Sequence, residues 1–201
     1  MLFYEPARRD KSLLPHDPIK ALIAPRPIGW VSTISGKGEI NLAPYSFFNQ
    51  IHSSPAILAF ASDGQKDSIT NLMQIGEFVW SLPTLAQKDA MNATSATLPH
   101  GHNEFEHAGL TMADARLVRP KRVVGAPAAL ECRLCQIIRL TDSEGRELDG
   151  WLAIGEVVGV HIDETFIRAG RVDTAAMRPI ARCGYHDYAV VDELFEMKRP
   201  S

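Results

Sequence analysis

Four stretches of the chain concentrate residue types that can do chemistry. In "GWVSTISGKGEINLAPYSFF", residues 29–48, two apolar runs flank a glycine turn, yet hydroxyls, an amide and a proline replace the valine or isoleucine of a plain strand. Gly29, Val31, Thr33 and Ser35 alternate with Trp30, Ser32 and Ile34, so one face is shallow and hydroxylic. Asn41, Ala43, Pro44, Tyr45 and Ser46 return opposite it. Pro44 cannot donate to a ladder, which places its strand at an edge or in a bulge. An ordinary barrel rim with solvent-facing Ser and Thr would show the same residue types.

The second stretch is "ASDGQKDSITN", residues 61–71. Ser62 ends an apolar run, a glycine turn follows, and Lys66 stands directly before a helix start at Asp67 or Ser68. The free N–H groups and dipole of such a terminus attract anions, and Lys66 adds a point charge. Asp67 opposes this unless it caps the helix and points away. A lone lysine there is also compatible with plain solvation. The third, "PHGHNEFEH" at 99–107, holds His100, His102, Glu104, Glu106 and His107. That is the content of a metal site without the spacing of a zinc signature, and it reads as a polar loop covering a pocket. The fourth, "ECRLC", places Cys132 and Cys135 on opposite faces of a strand, as packing residues and not as a converging pair.

Other signatures are missing. "GKGEIN" lacks the third glycine and the β–α turn of a dinucleotide fingerprint, and no G-x-S-x-G occurs. Glu156 interrupts the apolar file Leu152, Ile154, Val158, Val160 and Ile162, and calls for a partner such as Arg133 or Arg182. No acid–base pair stands out.

The elements that must position these residues follow from periodicity. Residues 27–35, 40–48 and 55–62 read as strands, with "GKGE" as a turn. Ile69, Leu72 and Met73 share a helical face that stops at Gly76, and 77–82 returns to strand. Thr84 and Gln87 form a capping box before a helix running to about Ala93. Residues 97–126 form a long excursion. At 128–140, Ala128, Leu130, Cys132, Leu134, Ile138 and Leu140 share one side, while Glu131, Arg133 and Arg139 face away. Residues 151–162 are apolar on both faces, which predicts burial on both. "RCGYHDYAVV" supplies the last strand. Six or seven antiparallel strands with a few short helices predict a mainly β protein, a closed or split β-barrel.

Composition narrows the class. The 201 residues are 45% hydrophobic with net charge -3, enough for one core and without a basic footprint for nucleic acid. The N-terminal "MLFYEPARRDKSLLPHDP" lacks a signal-peptide apolar run, and no membrane-length apolar run occurs. Three cysteines make no disulfide framework. A soluble cytoplasmic protein is expected.

Taken in order, "PRPIGWVST", "NLAPYSFFN", "SPAILAFAS", "KDSITNLMQIGEFVWSL", "NEFEHAGLT", "APAALECRL", "IGEVVGVHID" and "RPIARCGYHDYAVVDE" resemble the flavin reductase-like proteins with an FMN-binding split barrel. The resemblance implies an arm at 1–20, a barrel domain at 21–195, and a homodimer binding FMN, or FAD, near its interface. By position it implies that Trp30, Ser32, Thr33, Ala43, Pro44, Tyr45, Ser46 and Asn49 lie near the flavin. It also implies that Ser62, Lys66, Asp67 and Ser68 surround the ribityl phosphate. The implied reaction is reduction by NAD(P)H, followed by transfer to free flavin, a partner monooxygenase or another acceptor. A flavin carrier or sensor without turnover is the alternative. Some relatives have two glycines where "CGYHDY" has one followed by Tyr185.

Overall fold

The computed structural model describes residues 1–200. After α1 (Ile19–Leu22) and β1 (Arg26–Pro27), the chain forms a hairpin of β2 (Gly29–Ile34) and β3 (Ile40–Tyr45). Its turn places Gly38 at φ 87°, a backbone conformation natural to glycine. β4 (Phe48–Ser53) and β5 (Ala56–Asp63) make a second hairpin, α2 (Asp67–Ile75) follows, and β6 (Glu77–Ser81) returns. α3 (Lys88–Ala93) comes next, and the excursion then carries α4 (Glu104–His107), β7 (Met112–Ala113) and β8 (Arg122–Val123). A long hairpin of β9 (Ala128–Thr141) and β10 (Glu147–Ile162) comes next. The chain ends with β11 (Ile167–Arg168), β12 (Arg171–Val172), α5 (Thr174–Met177), β13 (Ile180–Arg182) and β14 (Tyr188–Val190).

Seven strands form one antiparallel sheet in the order β3-β2-β6-β9-β10-β5-β4. Its two edges, β3 and β4, are separated in sequence only by Ser46 and Phe47, so the sheet must curl until those edges approach. The Ala61 N–H donates to the Phe47 carbonyl at 2.8 Å, tying that junction to β5. The result is a split barrel, mainly β, with short helices around it. β1, β13 and β14 form a separate small sheet that joins the two ends of the chain.

Two apolar clusters bury β2 on both faces. Val31, Phe60, Phe78 and Cys132 fill the barrel, with Ile69 and Leu72 contributed by α2. On the other face of β2, Trp30 packs with Leu42, Met91 and Phe105. Gly29 to Thr33 are therefore all buried, and the face read as shallow is an interior one. Pro44 sits in regular register opposite Trp30 on the edge strand β3, so the edge explains it and no bulge is needed.

Several local expectations are corrected by this packing. Lys66, and neither Asp67 nor Ser68, occupies the N-cap of α2, and no side chain caps it. Gly76 does end the helix, at φ 70°. Met73 is exposed, because the buried stripe of α2 runs through Ile69 and Leu72. Thr84 makes no capping bond, since a 3-10 turn at Leu85–Gln87 precedes α3. The β9–β10 register slips by one residue at Cys135. A slip of one residue reverses which side chains face inward. Beyond it Ile137 joins the core while Ile138 is exposed. Cys132 is buried, but Cys135 is exposed and packs nothing. Glu156 lies opposite Arg133 in solvent and needs no buried partner. β10 is covered on one side only toward its end, leaving Val160 and Ile162 exposed.

Glu131, expected to face away from the apolar file, is nevertheless fully buried. Its carboxylate accepts the Arg116 N–H at 2.7 Å, the Leu117 N–H at 2.6 Å and His161 Nε2 at 2.5 Å. Burial raises its pKa, but the Arg116 N–H, His161 and the Leu117 N–H together outweigh burial and hold it below the usual value. A lowered carboxylate pKa contributes stability above the unfolded value that is lost as pH falls through the folded one. Glu131→Ala is expected to cost roughly 3 kcal/mol by stranding those donors. Urea denaturation would measure it, and a loss under about 1 kcal/mol would refute the clamp.

Candidate functional site

A polar seam runs where α2 meets the barrel wall. The Asn41 side-chain amide on β3 donates to Ser68 Oγ at 2.8 Å, and the Asn71 amide on α2 donates to Thr33 Oγ1 at 3.1 Å. The Tyr45 hydroxyl lies beside Ser68 and Ser62, and burial pushes its pKa up to about 12, so it remains a neutral phenol. Ser62 Oγ donates to the Gly64 carbonyl at 2.9 Å, shaping the turn into α2. Asn71 Oδ1 is buried without a hydrogen-bond partner among the described residues. The hairpin and the helix start are thus one site, made by strands that present hydroxyls to the first turn of α2.

The start of α2 suits an anion. This nine-residue helix begins with no side chain accepting its first N–H groups, and exposed Lys66 stands at the cap. The objection to Asp67 is resolved by the histidine loop: His100 Nδ1 lies 2.7 Å from Asp67 Oδ1 and draws that carboxylate to one side. The Asp67 hydrogen bond and then its charge raise the His100 pKa, with Glu39 adding to the effect and Lys37 opposing it. A raised histidine pKa means that this contact is complete below the ordinary value of about 6.5 and weakens as pH rises through the folded one. An NMR titration should therefore place the His100 midpoint above about 6.5 and return it to the ordinary range in Asp67→Asn. An unshifted wild-type midpoint would break this assignment.

The rest of the histidine loop does not converge on a metal. Among the described residues no group of three or more His, Cys, Asp or Glu is placed to hold one. His102 binds the Pro99 carbonyl, and Asn103 caps α4 by accepting the Phe105 N–H. Buried Glu104 accepts the Leu42 N–H of edge strand β3 at 2.9 Å. The loop thereby covers the hairpin. Among the residues placed near the flavin by resemblance, Asn71, His100 and Glu104 are missing; Asn71 lies one helical turn beyond Ser68, and His100 and Glu104 belong to the loop read as covering a pocket.

Not every expected residue meets the seam. Trp30 Nε1 is spent on Thr94 Oγ1 at 3.0 Å, and Ser32 Oγ on the Lys121 carbonyl, so these two face α3 and the excursion. Ala43 is half-buried opposite Val31. Pro44 and Ser46 line a separate cavity with Arg26 and Tyr188. Asn49 lies on an apolar cleft with Phe48, Trp80 and Pro179. Tyr45, Ser62, Ser68, Thr33, Lys66 and Asp67 are the residues brought together.

The chain is a split barrel whose hydroxyl-lined wall faces an uncapped helix start. The sequence matches the flavin reductase like domain over residues 22–174, and the chain belongs to that family. An uncharacterized protein of Deinococcus radiodurans is 37% identical over 195 residues, covering 90% of this chain and 82% of its own. The crystal structure of nitrilotriacetate monooxygenase component B from Bacillus cereus superposes with TM-score 0.89 at 30% identity, covering 98% of each chain. Pseudomonas fluorescens 2-nitrobenzoate 2-nitroreductase shares the fold, with TM-score 0.85 at 23% identity over 100% of this chain and 97% of its own. Among the described residues no helix is long and apolar enough to cross a membrane.

Proposed function

We propose that this protein is an FMN-dependent NAD(P)H oxidoreductase of the flavin reductase type. The observation that carries the reading is the start of α2: uncapped N–H groups, exposed Lys66 and an Asp67 drawn aside by His100. Dianionic phosphate monoesters suit such a terminus. Ser62, Ser68 and the neutral Tyr45 hydroxyl would border the phosphate and ribityl chain. The unsatisfied Asn71 Oδ1 shows acceptor capacity within the seam, and Thr33 is held in place by the same amide group. These residues fit FMN better than FAD, because the helix start suits a terminal phosphate.

FMN, when bound, supplies the hydride and single-electron chemistry. The chain's own task is then to grip, orient and exclude water. Lys66 and the α2 N–H groups hold the anionic end. Edge strand β3, which pairs with β2 on one side only, presents the backbone of Ala43 to Tyr45 to a ring. Glu104 takes the Leu42 N–H that points off the unpaired edge of β3 and so fixes that part of the edge. No side chain needs to act as an acid or base.

The family membership supports the donor and acceptor assignments: NAD(P)H as donor, and free flavin, a partner monooxygenase or another acceptor as recipient. Likeness to a monooxygenase component B favours a partner enzyme that receives reduced flavin. Exposed Val160 and Ile162 on β10 and Leu117 beside them support a homodimer. The test is an anaerobic visible spectrum with stoichiometric FMN, before and after NADH and then NADPH. Rapid bleaching by either is expected and names the donor. A perturbed flavin that stays oxidised would make the protein a carrier, and no perturbation would remove the cofactor assignment.

A further inference from the structure

A second site lies where the two ends of the chain meet, on the far side of β3 from the seam. It is a cavity of about 480 Å³ lined by Lys20, Arg26, Pro44, Arg182, Tyr185 and Tyr188, among others. Arg26 is only 8% exposed. Its guanidinium donates to the Lys20, Ile23 and Cys183 carbonyls, which ties α1 to the loop after β13. Arg26 Nε has no hydrogen-bond partner among the described residues.

The charge around it is unbalanced. Carbonyl dipoles solvate a guanidinium but do not neutralise it, and a buried cation without a counter-charge is costly. No ion pair among the described residues involves Lys20, Arg26 or Arg182. Asp17, the lining carboxylate, is already matched by Arg9 at 3.6 Å. Arg182 instead donates to the Tyr185 carbonyl and lies 4.6 Å from the centre of the Tyr188 ring.

The walls are flat and partly apolar, with Ile28, Met91 and the tyrosines. Tyr185 holds φ 52°, a strained conformation of the kind that collects at ligand clamps. Gly184 beside it leaves no room for a side chain, since a Cβ would fall 2.4 Å from that of Ala21. The loop is thus pressed against α1 and keeps Tyr185 at the cavity wall.

We propose that this cavity binds an organic oxyanion, a carboxylate or phosphate carried on a flat unsaturated body. Lys20 and Arg182 take the charge, the buried Arg26 guanidinium adds positive potential behind them, and Tyr185 and Tyr188 take the body. The assignment stands without the flavin reading. If both hold, Pro44 and Ser46, which line this cavity, place the oxyanion beside the flavin edge of β3.

The test is calorimetry on the full chain with four probes: benzoate and AMP, and their uncharged counterparts benzamide and adenosine. At least one anion is expected to bind about tenfold or more tightly than its neutral counterpart, in keeping with a charge-assisted contact. Lys20→Gln with Arg182→Gln should reduce that affinity about tenfold again, with circular dichroism confirming the fold. Lys66→Glu should leave it unchanged, which separates this cavity from the α2 phosphate site. Benzoate alone assigns an aromatic acid, AMP alone a nucleotide phosphate, and either supports the site. Equal affinity for charged and neutral probes would overturn it. So would indifference to the double substitution, or sensitivity to Lys66→Glu.

Discussion

Lys66→Glu is expected to weaken FMN binding roughly 100-fold, about 2.7 kcal/mol, while moving stability by no more than about 0.5 kcal/mol. The substitution removes a cation from the N-cap of α2 and adds a carboxylate beside Asp67, where the dipole and the free N–H groups would receive a dianionic phosphate. His100 is already committed to Asp67 and cannot neutralise a second carboxylate. Lys66 is exposed and joins no apolar cluster, so the fold loses little. Flavin fluorescence titration gives the affinity, and thermal unfolding without flavin gives the stability. Unchanged affinity would move the phosphate elsewhere; a matching loss of both would make Lys66 a structural residue.

The second large effect is on the core. Gly155 on β10 is buried opposite Leu134, and a Cβ there would stand 2.3 Å from Phe78 Cε1, 2.8 Å from its Cζ and 3.1 Å from the Arg133 carbonyl. Phe78 is fully buried, edge-on to Phe60 with ring centres 5.7 Å apart, so it has nowhere to rotate. Gly155→Ala is expected to cost about 3 kcal/mol and lower the melting temperature by roughly 10 °C. Overpacking has a signature that lost backbone freedom lacks. Adding Phe78→Leu should make the double variant more stable than the sum of the two single losses predicts. Strict additivity would exclude the steric account.

The chemistry-bearing stretches were legible because their signals are local. The turn at Gly38, the start and stop of α2, and the anion-attracting step from Ser62 to Ser68 depend on residues within a few positions of one another. Pro44 likewise announced an edge strand, because a missing N–H is a property of one residue. Asp67 shows the limit: its own sequence neighbourhood set it against the anion, and only His100, far along the chain, turns it aside.

What the sequence by itself determined was most of the strands of the sheet, though not its edge strand β4, the helix behind Lys66 and hence a mainly β barrel. Tertiary structure decided which faces those strands bury. A period of two predicts sides only while register holds, and the slip at Cys135 put Ile137 in the core and Ile138 in solvent. Both faces of β2 became interior because α3 and α4 cover one and the barrel encloses the other. Glu131 turned inward because it meets donors from Arg116, Leu117 and His161, none adjacent to it in sequence. The Arg26 cavity exists only because β1 pairs with β13 and brings the two ends of the chain together. Turn and helix chemistry is written in neighbouring residues, whereas burial and charge balance are set by whatever long-range closure places opposite them.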